Sequence, residues 1–459
     1  MKKNNILIII VFLIMLPVGV FAEDEPIGVE TTGTITLSIE QARSLALANS
    51  RSLAKYNLTM QNNRLDDIAQ VFSNLPSLSL GGPSASIGLW NAGGEGVNFP
   101  DSLSGNIISF GVSQKIFNGG KSIVLASINK ISSEITRKEA LAEYYAVLDA
   151  ADTAYYNVLQ SAVSLEAAES TLQTAAFALS VAEIRSANGM IKPGDYLQAL
   201  AEKETRENAR NQAKRDLALN SAKLKAITGI AELPVLETAD FDAYETLISH
   251  LSEISDEKLD GLYADLWKAA AAGNPGLTRA SLSSQIAKKN VTLAGRDYLP
   301  TLNAGFNLGG WGYSVQDGIK LSPGSFSLSG SIPLDFWVTA NTVAKRKITL
   351  EQSNLDYLGA ESSLELELQT TLLSLLSQAE TVLSSRRACD YAEKHFEYVI
   401  ELYRLGQNSV SELSDAAALV SSNRNQRIRA EFGFLGSLSK LRSLGAFASE
   451  SDLMELLLS

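Results

Sequence analysis

The residue types that most often carry out chemistry are sparse in this 459-residue chain, and their spacing matches no reaction centre. The segment 119–122 reads Gly-Gly-Lys-Ser, but Lys115 stands where a phosphate-binding loop requires its first glycine. Cys389 is the single cysteine, so it cannot form an internal disulfide. His250 and His395 are far apart in sequence and are not spaced as a ligand pair. We therefore predict no enzyme activity, no cofactor and no metal site.

A pair of carboxylates, Glu412 and Asp415, is spaced three residues apart, which places both on one face of a helix. Together they could attract cations. They could equally be ordinary residues of a first helical turn, where the helix dipole favours negative charge. The residues alone leave both interpretations open, and the choice depends on the elements that position them.

The N-terminus indicates export. Lys2 and Lys3 precede an apolar run over residues 6–20, which is too short for a membrane span and is typical of a cleavable signal peptide. We predict a signal peptide over residues 1–22, although a retained N-terminal anchor is the alternative. The formal net charge of −12 argues against nucleic acid as a partner.

The mature chain is predicted to contain two copies of one structural plan. The segment 75–78 (Leu-Pro-Ser-Leu) returns at 299–302 (Leu-Pro-Thr-Leu), an offset of roughly 220 residues that indicates duplication. We expect the first repeat over 23–229, an acidic linker over 230–256, the second repeat over 257–447 and a tail over 448–459. The predicted helices are 38–48, 50–72, 120–187 and 193–228 in the first copy, and 258–272, 274–298, 340–405 and 410–445 in the second.

Each copy also contains two segments that alternate between apolar and small polar residues, the pattern of a strand with two different faces. We predict these strands at 76–90, 103–117, 300–313 and 324–335. Aromatic residues lie near both ends of the strands, where the interfacial girdles of a membrane barrel are found; they are Trp90, Phe99, Trp311 and Tyr313 at one end and Phe117, Phe336 and Trp337 at the other. A soluble sandwich with one wet face is the alternative.

Four strands are too few to close a membrane barrel, because even the smallest has about eight. An open sheet edge in lipid would leave backbone groups unpaired. If these strands span a membrane, several chains must therefore share one barrel. The two long predicted helices would each extend roughly 100 Å. Heptad positions along them pair large with small residues, as in a coiled coil, and Cys389 falls on such a seam.

This order of parts resembles the TolC-like outer-membrane efflux family over residues 36–447. The resemblance is carried by the opening helix (Thr36 to Asn49), the strand entry 299–302, the strand-to-helix passage 114–121, and Tyr403-Arg404-Leu405-Gly406 followed by Glu412 to Ala416. It implies a mainly α-helical fold, with long coiled-coil helices forming a periplasmic tunnel and four β-strands per chain in a shared trimeric barrel. It also implies an outer-membrane location and docking of a periplasmic adaptor and an inner-membrane pump.

The resemblance assigns roles to residues at the far end of the helices. The adaptor-docking turns would be Asn188, Gly189 and Met190 in the first copy and Leu405, Gly406 and Gln407 in the second. Glu412 and Asp415 match carboxylates that ring the tunnel mouth. Asp195 and Tyr403 match a pair that holds the mouth closed, and Asn408 stands where a basic gate residue is expected.

The sequence thus favours an exit duct for efflux or type I secretion. The alternative function is a soluble periplasmic coiled-coil scaffold or adaptor.

Overall fold

The computed structural model describes residues 36–82, 84–87, 103–314, 318–322, 324–447 and 449–458. The predicted signal peptide, Trp90 and Phe99 lie outside these residues. In chain order the elements are β1 (Thr36–Leu37), α1 (Ile39–Asn49), α2 (Arg51–Phe72), β2 (Ser77–Gly81), β3 (Ser84–Ile87), β4 (Leu103–Asn118), α3 (Lys121–Ala187), α4 (Pro193–Thr228), β5 (Val235–Leu236), α5 (Glu245–Ser252), α6 (Asp256–Gly273), α7 (Pro275–Gly295), β6 (Thr301–Ser314), β7 (Gly318–Ser322), β8 (Ser325–Ser331), α8 (Phe336–Leu405), α9 (Val410–Gly445) and α10 (Glu450–Leu458).

Six of the described strands, β2 to β4 and β6 to β8, form one antiparallel sheet at one end of the helices. β4 and β6 pair along most of their length in the centre. β2 and β3 both pair with the free side of β4, and β7 and β8 both pair with the free side of β6. The sheet is therefore four strands wide, as predicted, with each outer strand divided into two pieces.

The register separates the two faces of this sheet. Leu78, Val112, Phe306 and Phe326 stand opposite one another and form an apolar row across all four strands. The neighbouring row on the other face consists of Ser77, Ser113, Gly305 and Ser327. Because side chains alternate between faces, one face is apolar and the other is lined by small polar groups.

The fourth predicted strand is shorter than expected. β8 ends at Ser331, so Ile332 and Leu334 lie beyond the ladder. Pro333 follows directly and has no N–H to donate to a neighbouring strand. The segment 318–322, for which no strand is predicted, forms β7.

The helices follow the predicted arrangement of one long helix beside two shorter ones. α3 and α8 contain 67 and 70 residues, and each would extend roughly 100 Å at 1.5 Å per residue. α2 packs along the first half of α3, where Asn63 Nδ2 donates to Thr136 Oγ1 at 2.9 Å. α4 packs along the second half, where Asn220 Nδ2 donates to Ser161 Oγ at 2.7 Å. Two short helices thus lie end to end beside one long helix.

Near the sheet the helices form a layer in the order α2, α3, α7, α8, because α2 packs on α3, α3 on α7, and α7 on α8. This order leaves α2 and α8 at the lateral edges. Both edges carry exposed apolar residues at heptad spacing. They are Leu58, Leu65 and Phe72 on α2, and Ile348 and Leu355 on α8.

The largest core lies at the middle of the long helices, where the linker and the tail pack against them. Leu247, Ile248 and Leu251 of α5 are buried there, as are Leu453 and Leu457 of α10. The 230–256 segment thus contains β5, which pairs with β1, and a packed helix. The 448–459 segment contains α10. These elements pack around the middle of the long helices. Together with the core beneath them they are here called the middle region.

A buried ionic cluster joins α1, α3 and α9 within the middle region. Asp152 has no exposed surface, and its carboxylate accepts hydrogen bonds from Arg43 Nη2 at 2.9 Å, Arg442 Nη2 at 3.0 Å and Ser439 Oγ at 2.6 Å. Burial alone would lower the pKa of the Arg43 guanidinium, but its hydrogen bond and charge interaction with Asp152 leave that pKa above its usual range. Arg43 therefore keeps its charge in this cluster.

Candidate functional site at the distal helical turns

The two distal turns end their long helices in the same way. In the first, Gly189 has a φ of +68°, and Met190 N donates to Arg185 O at 2.8 Å. In the second, Gly406 has a φ of +80°, and Gln407 N donates to Leu402 O at 2.9 Å. Both are Schellman-type caps, in which glycine supplies the left-handed conformation at no steric cost. The two turns thus share one backbone geometry.

The predicted docking residues lie at the surface of these turns. Met190 and Leu405 are 73% and 72% exposed, although both are apolar. Asn188, Gly189, Gly406 and Gln407 are exposed as well. Exposed apolar side chains at the tip of a hairpin are available to a protein partner.

The helices that follow the turns begin differently. Ser409 and Glu412 form a capping box, in which Ser409 N donates to Glu412 Oε2 at 2.8 Å and Glu412 N donates to Ser409 Oγ at 3.2 Å. α4 begins with Pro193 in its first turn, which also contains the half-buried Asp195. Glu412 therefore has a structural role at the start of α9, whereas Asp415 lies exposed one turn later.

Tyr403 joins the two hairpins. Its side chain is buried, and its hydroxyl donates to Ala178 O on α3 at 3.0 Å. Burial raises the pKa of this phenol, and the nearby Arg185 partly opposes the shift. Since a hydroxyl has one proton, Tyr403 does not donate to Asp195 in this arrangement. The gate roles assigned to Asp195, Tyr403 and the half-buried Asn408 stay predictions.

Arg185 is the residue that the sequence did not single out. Its Nη2 donates to Tyr403 O at 2.6 Å, and its guanidinium carbon lies 4.8 Å from the centroid of the Tyr403 ring. One side chain from the end of α3 thus caps the end of α8 and stacks on it. A weaker contact runs in the opposite direction, with the Arg404 guanidinium carbon 5.3 Å from the Phe177 ring centroid. The only available signal was a basic residue in the last turn, which is common at helix C-termini.

The packing beneath the tip is made from small side chains. Ala178, Ala182, Ala199 and Ala416 form half of this buried cluster, here called the tip cluster. Its remaining buried members are Val399, Tyr403, Val410 and Leu413. Small residues bury little apolar area, so the tip is held by fewer strong contacts than the middle region.

The described residues contain no group of three or more His, Cys, Asp or Glu side chains placed to hold a metal ion. Among the same residues, no helix is long and apolar enough to cross a membrane. Cys389 is buried on the predicted seam of α8, with its Sγ 3.6 Å from Glu393 Oε1.

The model of the outer membrane efflux protein family matches residues 42–230 and 266–445. The chain belongs to this family. It is 23% identical over 375 residues to outer membrane protein TolC of Vibrio cholerae serotype O1, which covers 76% of this chain and 79% of that protein.

Solved structures share the fold. The CmeC outer membrane channel of Campylobacter jejuni superimposes with a TM-score of 0.72 at 14% identity, covering 92% of this chain and 89% of that one. The open state of the MtrE outer membrane channel of Neisseria gonorrhoeae superimposes with a TM-score of 0.66 at 16% identity, covering 89% and 88%.

The family membership confirms the predicted function class, fold class and location. The protein is an outer-membrane efflux channel whose helices form a tunnel in the periplasm. The alternative of a soluble scaffold is not favoured.

Proposed function

We propose that three copies of this chain form one channel, and that the channel is the exit duct of a tripartite efflux or type I secretion system. The observation that carries this proposal is the open sheet. β2 and β3 form one outer strand and β7 and β8 the other, so each edge presents backbone groups that no strand in the described part of the chain pairs. In a membrane those groups require partners, and neighbouring copies supply them.

The helical layer supports the same assembly. The exposed heptad stripe on α2 and that on α8 lie at opposite edges of one layer. A stripe of this kind packs against another helix when it is buried. Joining α2 of one copy to α8 of the next buries both stripes and closes a ring, which is a heterologous, cyclic interface.

The two distal turns are the proposed docking surface for a periplasmic adaptor, which in turn connects the channel to an inner-membrane pump. Asn188, Gly189 and Met190 form one half of this surface, and Leu405, Gly406 and Gln407 form the other. Support comes from the matching backbone geometry of the two turns and from the exposure of Met190 and Leu405. A partner could therefore meet two similar surfaces on each copy.

The proposed mouth and gate lie beside these turns. Glu412 and Asp415 give the mouth negative charge, which favours cations. Asp195, Tyr403 and Asn408 form the proposed gate region. The contact of Arg185 with Tyr403 supports a closed state, because it ties the α3–α4 hairpin to the α8–α9 hairpin.

The assembly is tested by the mass of the particle in detergent and by a cross-edge disulfide. Three chains of 49.3 kDa each, including the signal peptide, set the upper expected mass of the protein particle. Leu65→Cys on α2 and Ile348→Cys on α8 lie at similar distances from the sheet on opposite edges. Oxidation of the double variant should yield covalent dimers and trimers, whereas either single variant should not. A water-soluble monomer with no cross-links would contradict the trimeric channel.

A further inference from the structure

The segments of α3, α7 and α8 next to the sheet are basic, although the chain as a whole has a net charge of −12 and the end of α2 nearest the sheet carries Asp66 and Asp67 against one arginine, Arg64. The segments 121–132, 287–295 and 336–347 are the parts of α3, α7 and α8 nearest the sheet, and they contain no Asp or Glu. Their basic residues are Lys121, Lys130, Lys288, Lys289, Lys345, Arg346 and Lys347. Lys121 pairs with Asp297, just beyond the end of α7. The other basic residues are exposed. This concentration of positive charge in an otherwise acidic chain requires an explanation.

Contacts made lower down α8 show which face of the layer Lys347 occupies. Lys347 and Glu365 are 18 residues apart, which is five complete turns, so both point to the same side. Glu365 is hydrogen-bonded to Tyr263 of α6, one of the elements of the middle region. Those elements must cover the outside of a tunnel, since on the inside they would fill the passage. Lys347 therefore faces outward.

The same reasoning applies to α3. Arg137 and Tyr155 are 18 residues apart, which is five complete turns. Lys130 and Tyr155 are 25 residues apart, which is within about 20° of seven turns. All three side chains therefore point to the same side of α3. The Tyr155 hydroxyl lies 2.9 Å from Leu37 O and 2.8 Å from the main-chain oxygen of Glu237, next to the β1–β5 pair. Lys130 and Arg137 thus face outward as well.

These residues lie at the height of a membrane surface. Lys130 and Lys347 are 10 to 12 residues into their helices, roughly 15 to 18 Å below the sheet. Trp337, 74% exposed at the start of α8, is suited to the boundary between hydrocarbon and headgroups. The headgroup layer adds about 5 to 8 Å on each side. Side chains of α3 and α8 lean back toward the helix N-terminus, which here is toward the sheet.

We propose that Lys130 and Lys347, together with Lys288 and Lys289 about two turns from the end of α7 nearest the sheet, form a basic collar that binds the phosphate groups of anionic phospholipids in the inner leaflet of the outer membrane. The proposal rests on the assembled channel spanning that membrane. An extended lysine side chain covers part of the remaining distance to the headgroups. Its charge acts over a further distance of about 8 Å, the screening length at physiological salt. The collar would fix the height of the channel in the bilayer.

The test uses the intact channel in detergent, titrated with phosphatidylglycerol or with phosphatidylethanolamine, and counts bound lipids by native mass spectrometry. Each basic group near an anionic surface should strengthen binding by about fivefold. The wild type should therefore retain phosphatidylglycerol preferentially, and the preference should weaken at high salt. The Lys130→Gln/Lys347→Gln variant should lose at least tenfold in that preference.

The chain offers a matched control. Lys345 is two residues from Lys347, so it lies at the same height but is turned about 200° around α8. Lys345→Gln should leave the preference unchanged, whereas Lys347→Gln should reduce it. Equal effects of the two single variants, or a Lys130→Gln/Lys347→Gln variant that keeps the preference, would overturn the collar. Inorganic phosphate that competes as well as phosphatidylglycerol would show a free-phosphate site instead. A wild type that forms no detergent-bound particle would count against the channel assembly, not against the collar.

Discussion

The middle region and the tip cluster join the same long helices, but they do so with different kinds of contact. The middle region surrounds Asp152 with two arginines and a broad leucine-rich core. The tip cluster packs alanines and is tied mainly by Arg185 and Tyr403. The free energy holding the helices together is therefore concentrated at the middle. We infer that the helices stay together at the middle region. The α3–α4 and α8–α9 hairpins, which extend from it to the distal turns, can separate.

The largest loss of stability is expected from Asp152→Asn. The change leaves Arg43 and Arg442 buried without their shared carboxylate, and breaking a buried ion pair typically costs 3 to 5 kcal/mol. Denaturant or thermal unfolding of the solubilised channel measures the effect. Asp149→Asn is the control, because burial raises the pKa of Asp149 and its charge is already disfavoured in the fold. Equal losses in the two variants would contradict a special role for the cluster.

Arg185→Gln should act on the tip alone. It removes a hydrogen bond from a charged donor and a contact with an aromatic ring, together about 2 to 3 kcal/mol. If that energy holds the hairpins together, the open fraction in single-channel recordings should rise by about 30-fold or more. The unfolding midpoint should change little.

Arg404→Gln provides the comparison for Arg185. Arg404 is exposed, pairs with Glu401 on its own helix at 2.6 Å, and lies farther from its aromatic ring. Surface pairs of this kind contribute little, so conductance should stay near that of the wild type. A similar rise in open fraction for both variants would show that charge at the tip, and not the Arg185 contact, controls opening.

Tyr403→Phe should have a smaller effect of the same sign. The ring remains available to Arg185, and only the hydrogen bond to Ala178 O is lost, at about 1 kcal/mol. We expect about a fivefold rise in open fraction. Combining this change with Arg185→Gln tests whether the two residues act together, since contacting residues generally give non-additive effects. Strict additivity would argue against a shared latch.

The sequence predicts the helices of both regions better than it predicts the contacts between them. α3, α4 and α9 begin and end within one residue of prediction, because long proline-free stretches and glycine turns mark their limits. Strand limits were less accurate, since Pro333 ended the ladder inside an apolar alternation. Arg185 and Asp152 could not be identified, because the partner of Arg185 lies 218 residues away and those of Asp152 lie 109 to 290 residues away. Nothing local distinguishes such residues from solvated helix positions.

The smallest expected change in stability comes from Glu412→Gln/Asp415→Asn. This variant separates the role of Glu412 in the helix cap from its role as a negative charge at the proposed mouth. Glutamine can replace glutamate in a capping box, so α9 should keep its first turn and stability should change by less than about 0.5 kcal/mol. Glu412→Ala removes the side-chain acceptor for Ser409 N and should cost slightly more. Both changes remove negative charge from the proposed mouth, so the preference for cations in bilayer recordings should fall, most visibly at low salt. If ion preference stays constant while Glu412→Ala destabilises the hairpin, Glu412 serves the helix cap and the mouth is not selective for cations at this position.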